Sequence, residues 1–386
     1  MQKLASVAVI GLGRIGLPSA FLAAEKVETV FGIDHDVEYI ASLKNGAIPF
    51  LEKGLKARFE KTTLVFTTKL ETAELYILAL PTLGLSGRFE TDVVEKVLQK
   101  IGEISSDTLV IIESTLPLGA MRKLGKTFPG SLVYCPERVA PGSVFHELST
   151  IPRCIASYDI WALEKAKRFY HSIAIETFET SPQVAETVKL SENAFRDANI
   201  AFANRLSEIC GQNDTDIQEV IKIANTHPRV NILKPGLGAG GACLAPSTQT
   251  LDSGPLFSAI RQVNERQILR VLETLQRRNI TSVSLWGLSY KANCDDLRFS
   301  KSMDLKALLE SNDIEVKVWD PVAKVGDFSA SLESQAIVFG VPHQAFSDAN
   351  LPNKVRAKSQ IKYIVDFVNA IDIRVWNKEA FSCICG

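Results

Sequence analysis

A single thiol closes a glycine-rich run, Pro235-Gly236-Leu237-Gly238-Ala239-Gly240-Gly241-Ala242-Cys243. Glycines let a backbone bend sharply and approach a ligand closely. A cysteine delivered by such a segment has the attributes of a nucleophile, although a lone cysteine after a flexible loop is more often a packing residue. Lys189 and Asn193 lie four apart in a helical pattern and therefore share a face. A cation and an amide aimed the same way can stabilise a thiolate and an oxyanion. Spacing alone leaves open a solvated lysine beside an interhelical asparagine. Glu137, in Cys135-Pro136-Glu137-Arg138, is a candidate general base or water-holding acid. The alternative for Glu137 is a surface carboxylate paired with Arg138.

A second constellation reads as a cofactor site. Gly11-Leu12-Gly13-Arg14-Ile15-Gly16 follows an apolar strand and opens a helix, and Asp34 ends the next strand. The glycines permit a tight turn and let a pyrophosphate rest on the helix N-terminus. Asp34 would accept hydrogen bonds from an adenosine ribose and repel a 2′-phosphate, which favours NAD over NADP. Pro81-Thr82 and Glu113-Ser114-Thr115 follow further strand segments, on the edge where such sheets bind ligands.

These residues need elements to hold them. Short apolar runs at 6–10, 29–33, 75–80, 108–112 and 132–134 predict strands, with helical patterns between them such as 91–104. That alternation predicts a parallel sheet covered on both faces. From 182 to 210 the chain predicts one long helix, followed by helices at 217–225 and 255–277 with no strand among them. Alternation resumes with strands at 283–287, 315–319, 336–339 and 363–366 and a helix at 303–311. The expected fold is α/β, with two doubly wound, Rossmann-like parallel-sheet domains joined by a helical connector domain. The expected boundaries are 1–181, 182–278 and 279–386, and the long helix is expected to form a dimer surface.

Composition narrows the function. The 386 residues suit two or three domains, and 46% hydrophobic with 23% charged residues is globular composition. The net charge of −1 supplies no global field for nucleic acid or an acidic membrane. No run is long enough for a membrane span, and Met1-Gln2-Lys3-Leu4-Ala5 does not read as a signal peptide. Seven scattered cysteines predict a reducing cytosol rather than a disulfide framework. Cys383-Ile384-Cys385 reads as a terminal strand or tail, and no metal site is expected.

Taken together, these motifs resemble the UDP-glucose/GDP-mannose dehydrogenase family of nucleotide-sugar 6-dehydrogenases, most of all its bacterial branch acting on UDP-N-acetyl-D-mannosamine. The likeness runs nearly end to end, through Gly11 to Pro18, Glu113 to Thr115, Cys135 to Gly142, Lys189 to Asn204, Ala224 to Gly236 and Gly287 to Arg298. It implies a four-electron oxidation of a C6 hydroxyl with two NAD, through an aldehyde captured by Cys243 and a thioester released by water. It implies that Lys189 stabilises developing charge, that Asn193 binds the oxygen at the reacting carbon, and that Thr115 and Glu137 organise water and protons. The substrate set it implies also includes Arg138, Arg229 (reaching across a subunit boundary), Asn231, Lys234, Gly236, Gly240, Lys291 and Arg298. The cofactor set is Gly11, Gly13, Arg14, Ile15, Gly16, Asp34, Pro81, Thr82 and Thr115. The implied partners are a UDP-sugar and a second copy of the chain in a cytoplasmic homodimer.

The likeness breaks beside the nucleophile. Ala242 stands where that branch has histidine, and Ser247 where the family has aspartate. Phe299 and Lys301 replace a usual glutamate and proline after Arg298. A serine is not an anionic base at neutral pH, although it can hydrogen-bond a water. Three readings follow: a working dehydrogenase, one with slow or diverted thioester release, and a non-catalytic binder of cofactor and sugar nucleotide.

Overall fold

The computed structural model describes residues 4–62, 64–140, 142–357, 360–378 and 381–385. The chain forms two compact units, Met1–Glu192 and Asn193–Gly386, and the division falls inside one long helix.

The first unit is built on eight strands: β1 (Ser6–Ile10), β2 (Thr29–Ile33), β3 (Val65–Thr67), β4 (Leu75–Leu78), β5 (Leu109–Ile112), β6 (Ser131–Tyr134), β7 (Arg153–Ala156) and β8 (Thr177–Thr180). Their order is β3-β2-β1-β4-β5-β6-β7-β8, a doubly wound order whose switch point lies between β1 and β4. Seven helices connect them: α1 (Gly16–Ala24), α2 (Val37–Lys44), α3 (Leu55–Phe59), α4 (Asp92–Ile104), α5 (Ala120–Leu124), α6 (Val144–Thr150) and α7 (Ile160–Ser172). Alternate residues of each strand face opposite layers. Val7 and Val9 join one apolar cluster with Leu17, Phe21 and Phe169, while Ala8 and Ile10 join another with Tyr76 and Leu98. Every residue of β4 and β5 is buried, which is why these segments read as continuous apolar runs.

The first sheet departs from a purely parallel one at a single junction. β6 and β7 run antiparallel through Tyr134 and Ala156, a pairing that needs no crossover over a sheet face. β4 closes at Leu78 rather than at residue 80, because the Leu80 N–H leaves the ladder to donate to Ser114 Oγ at 2.7 Å.

The 31-residue helix α8 (Pro182–Gln212) is about 46 Å long at helical rise. In the second unit α9 (Ile217–Ala224), α10 (Leu244–Leu251) and α11 (Pro255–Gln276) follow it. A five-stranded parallel sheet comes next: β9 (Ser282–Trp286), β10 (Glu315–Trp319), β11 (Ala336–Phe339), β12 (Tyr363–Asp366) and β13 (Ser382–Cys385). Its order is β10-β9-β11-β12-β13, the other common doubly wound order. The helices α12 (Lys301–Glu310), α13 (Leu351–Arg356) and α14 (Ile373–Lys378) accompany it. The Cys383-Ile384-Cys385 segment is thus strand, not tail. One apolar cluster centred on Trp286, Phe339, Phe346 and Trp376 forms this unit's core.

Candidate functional site

The glycine turn after β1 has three distinct positions. A Cβ on Gly11 (φ +90°) would lie 2.5 Å from the Ala79 carbonyl oxygen, and one on Gly16 would lie 1.9 Å from the Gly11 carbonyl oxygen. A Cβ on Gly13 would meet nothing within 4 Å. Gly11 and Gly16 therefore close the turn against the residue after β4 and against itself, while Gly13 keeps an open face, as a pyrophosphate contact would require. Asp34 Oδ2 accepts the Leu12 N–H at 2.9 Å, and Tyr39 donates to the Leu12 carbonyl at 2.6 Å. The acid expected to read a ribose thus also fixes the loop. The other Asp34 oxygen faces His35 Nδ1 at 3.1 Å. Ile15 caps α1 with no side-chain hydrogen bond, which leaves the helix N-terminus suited to an anion. The Arg14 guanidinium stands 5.1 Å over the Phe50 ring.

Beside the switch point, the loops that follow β4 and β5 are latched. Thr82 Oγ1 donates to the Thr115 carbonyl at 2.7 Å, so Pro81-Thr82 and Ser114-Thr115 are brought together. Ser114 Oγ also donates back to the Leu78 carbonyl at 3.2 Å.

Glu137 is buried, at 7% exposure, and is not a surface partner of the Arg138 side chain. One of its oxygens accepts the backbone N–H groups of Arg138 and Val139 at 2.7 and 2.8 Å, and the other accepts Arg153 Nη1 at 2.5 Å. The Arg138 guanidinium goes instead to Glu192 and to the Pro152 carbonyl at 2.9 Å. Arg153 reaches a second carboxylate, Glu113, at 3.3 Å. Glu113 also accepts Ser19 Oγ on α1 and the Tyr170 hydroxyl on α7, each at 3.0 Å. Burial pushes the Glu113 carboxyl above its usual range, against the pull of Arg153. Burial likewise pushes the neighbouring Cys135 thiol up to about 12, so it is inert as a nucleophile. Arg153 was not singled out from the sequence, because a charged residue opening a strand reads as surface until its partners are known.

Lys189 on α8 is 8% exposed, and no hydrogen bond or ion pair engages its ammonium among the described residues. A buried, unengaged cation of this kind is suited to meet developing negative charge.

In the second unit Cys243 is exposed and its thiol is free. It is the N-cap residue of α10. The Asn193 amide donates to Ser247 Oγ at 2.9 Å, and both residues are buried. The glycine run packs on the segment that follows β9. The Gly241 N–H donates to the Phe299 carbonyl at 2.8 Å, and a Cβ on Gly241 would collide with the Tyr290 ring at 2.7 Å. Phe299 is exposed and has φ +54°, a strained conformation for an aromatic residue. Arg298 donates to Asp296 through Nε and Nη2 at 2.9 and 2.7 Å. That pairing raises the Arg298 pKa, and Tyr290 and Cys243 lie near enough to add to it. Lys291 Nζ stands 5.9 Å from the Tyr290 ring centre. The Gly236 N–H is held by Asn204 Oδ1 at 2.8 Å. A Cβ on Gly240 would lie 3.3 Å from the Phe299 carbonyl. Arg229, Asn231 and Lys234 are exposed, with Arg229 beside His227 and the Asn231 carbonyl accepting Asn199 Nδ2 at 2.7 Å.

The second sheet repeats the turn of the first with a different outcome. The Gly287 N–H donates to the Trp319 carbonyl at 2.9 Å, as the Gly11 N–H does to Ile33 at 2.8 Å. Asp320, after β10, accepts the Leu288 N–H at 2.7 Å, as Asp34 accepts that of Leu12. Asp320 is fully buried, however, and accepts His343 Nε2 at 3.1 Å and the Val322 and Ala323 N–H groups at 2.9 and 2.8 Å. The Asn293 N–H donates to His343 Nδ1 at 2.9 Å, so His343 carries its proton on Nε2. An aspartate so occupied has no face for a ribose.

Residues 5–174 match the NAD-binding domain of the UDP-glucose/GDP-mannose dehydrogenase family, 183–268 its central domain and 284–373 its UDP-binding domain. The open cradle after β1 and the matched domains define an NAD-dependent nucleotide-sugar dehydrogenase, an oxidoreductase. The chain belongs to the UDP-glucose/GDP-mannose dehydrogenase family. It is 32% identical to a UDP-N-acetyl-D-mannosamine dehydrogenase of Methanocaldococcus jannaschii, over 97% of this chain and 95% of that one. It is 34% identical to an NDP-N-acetyl-D-galactosaminuronic acid dehydrogenase of Ralstonia nicotianae, over 83% and 84%. The solved UDP-D-ManNAc dehydrogenase of Pyrococcus horikoshii superposes with a TM-score of 0.88 at 30% identity, covering 95% of this chain and 96% of that one. Among the described residues no helix is long and apolar enough to cross a membrane.

Proposed function

We propose that this chain oxidises the C6 hydroxyl of UDP-N-acetyl-D-mannosamine to the uronate, through a thioester on Cys243. The observation that carries the reading is the state of Cys243, a free, exposed thiol at a helix N-cap, closing a glycine segment tied down on both sides. The names of the Methanocaldococcus and Pyrococcus relatives support the choice of sugar. The domain division 1–181, 182–278 and 279–386 accompanies this reading, with each matched segment falling inside one span.

Bound NAD supplies the hydride acceptor, and Gly11, Gly13, Arg14, Ile15, Gly16 and Asp34 would hold it, with Pro81, Thr82 and Thr115 beside the switch point. The C6 hydroxyl loses a hydride and a proton and becomes an aldehyde. The Cys243 sulfur gives up its proton and adds to the carbonyl carbon, and the oxygen takes a proton to give a thiohemiacetal. Loss of a second hydride and a proton leaves the thioester. Water adds to the thioester carbon, the C–S bond breaks, the sulfur takes back a proton to regenerate the thiol, and the uronate is released. Lys189 stabilises the developing oxyanion, and Asn193 binds the oxygen at the reacting carbon. Glu137, fixed by Arg153 and two N–H groups, has three of its roughly four lone-pair sites filled and keeps one to hold the attacking water, which Thr115 helps to organise. Arg138, Arg229, Asn231, Lys234, Gly236, Gly240, Lys291 and Arg298 bind the sugar nucleotide, whose diphosphate suits locally placed basic groups.

A second reading is favoured by Ser247. Its hydroxyl is fully buried and takes the Asn193 amide, at the position where the family resemblance leads one to expect an aspartate. Thioester release without that carboxylate would be slow or diverted. One assay separates the readings: purified protein with UDP-N-acetylmannosamine and excess NAD, counting NADH per sugar consumed. Two NADH per sugar supports the first reading and a ratio near one the second. No NADH with any of several UDP- or GDP-sugars, despite measurable NAD binding, overturns both and leaves a non-catalytic binder.

We also propose a cytoplasmic homodimer formed through the central helices. Phe195, Phe202 and Ile209 lie seven residues apart on α8 and are all exposed, an apolar stripe suited to a second copy of itself. Sedimentation at micromolar concentration tests it, and a monomer would end it.

A further inference from the structure

Both ends of the nucleophile segment converge on one buried side chain. On the entry side, the Gly236 N–H donates to Asn204 Oδ1 at 2.8 Å, and Asn204 Nδ2 donates to Asn264 Oδ1 at 2.9 Å. On the exit side, Thr248 on α10 donates through Oγ1 to Asp197 Oδ2 at 2.8 Å. Asn264 Nδ2 closes the chain by donating to Asp197 Oδ1 at 2.7 Å. The Asn264 backbone also abuts the middle of the segment, since a Cβ on Gly238 (φ +106°) would lie 2.3 Å from its carbonyl oxygen. Asn204, Asp197, Thr248 and Asn264 are all at least 96% buried.

The network has a direction. The oxygen of Asn264 receives and its nitrogen gives, and a reversed amide would set donor against donor and acceptor against acceptor. Leucine at 264 would leave a buried amide and a buried carboxylate short of partners, and such groups are costly. The arrangement thus specifies one path for the backbone from Gly236 to Thr248, and Cys243 lies on that path. Burial raises the Asp197 pKa, and the Thr248 and Asn264 hydrogen bonds oppose it, as expected of a carboxylate kept for what it holds.

We propose that Asn264 and Asp197 are positioning residues for Cys243: they clamp the two ends of its segment so that the thiol meets the reacting carbon in one geometry. The proposal rests on the reading of Cys243 as the nucleophile. A displacement of about 1 Å at a reacting group can cost ~100-fold in rate, so the clamp acts more on turnover than on binding.

The test uses the full chain with Thr248→Val, which removes the donor at nearly constant volume, Thr248→Ser, which retains it, and Asn264→Leu. Two readouts are taken: amide hydrogen exchange over residues 236–248, and kcat with KM for the nucleotide sugar. In Thr248→Val, exchange over the segment accelerates about tenfold or more, kcat falls about tenfold or more, and KM changes by a smaller factor than kcat. Thr248→Ser restores both readouts towards the parent values. Asn264→Leu shows the same split if it folds, and the threonine pair stands without it. Unchanged exchange in Thr248→Val overturns the clamp whether or not the protein turns over a sugar. Faster exchange with unchanged kcat overturns its role in positioning. Acid formed by Cys243→Ala, by contrast, removes the nucleophile reading while the exchange result stands by itself.

Discussion

The side-chain amide of Asn193 donates to the hydroxyl of Ser247 at 2.9 Å, and Ser247 is fully buried. A neutral hydroxyl therefore occupies the neighbourhood of a residue proposed to bind the reacting oxygen. Restoring a carboxylate supplies an acceptor for the attacking water's proton, a contribution of roughly 10²-fold or more where such transfer limits. Ser247→Asp is expected to raise kcat at least about tenfold and bring the NADH yield towards two per sugar. An unchanged rate would mean that hydrolysis is not the slow step.

Cys243→Ala is expected to abolish acid formation while leaving the affinity for NAD within about twofold, because the dinucleotide cradle does not involve the thiol. Product analysis by NMR and calorimetric titration with NAD read the two halves. Undiminished acid would remove Cys243 from the mechanism.

The glycine turn predicts two different failures from one kind of change. A methyl at Gly16 would stand 1.9 Å from the Gly11 carbonyl oxygen, so Gly16→Ala is expected to lower the urea midpoint as well as NAD affinity. A methyl at Gly13 meets nothing within 4 Å, so Gly13→Ala is expected to fold with little loss of stability and still bind NAD more weakly. Equal stability of the two variants would refute the division of roles.

Arg153 bridges two buried carboxylates, Glu113 and Glu137. Arg153→Met strands both and is expected to cost about 3–5 kcal/mol of stability. Adding Glu113→Gln, which deletes the carboxylate that burial already disfavours, should recover part of the loss. Denaturant midpoints of the single and double variants decide it, and strict additivity would argue against a shared network.

Asp320 makes stability fall with acid. Burial alone would raise its pKa, but the His343 hydrogen bond and the Ala323 and Leu288 N–H groups hold it at about 2, below an ordinary aspartate. A carboxyl with a depressed folded pKa stabilises above its unfolded pKa of about 3.9, and the contribution disappears as pH falls through its folded value. About 2 kcal/mol should therefore be lost between roughly pH 4 and pH 2. Asp320→Asn should flatten that part of the stability profile. A profile of unchanged slope would reject the assignment.

Much of this was legible before any coordinates. The strands β1, β2, β11 and β12 fall where apolar runs placed them, because largely buried parallel strands carry their signal in nearly every residue, and β10, an edge strand with no buried residue, falls where its alternating valines and Trp319 placed it. β3, β7 and β8 escaped for physical reasons. β3 has three residues, β8 lies at a sheet edge with no buried residue, and β7 opens with Arg153, whose burial depends on partners 16 and 40 residues away. The site divides in the same way. The glycines, Asp34 and Cys243 announce themselves by local spacing. Asn264, Arg153 and His343 act through contacts between distant segments, and nothing beside them in the sequence marks them.

His343 occupies the acid that follows the second glycine turn, and of the two turns the one at Gly11 keeps an open face at Gly13. The proposed reaction removes two hydrides from one carbon. One berth must therefore be vacated and filled again midway through each turnover, and during that interval the half-oxidised sugar has to be kept aboard. A covalent tether to sulfur answers that need, so the closed second socket and the thiol at Cys243 are two sides of one logistical constraint.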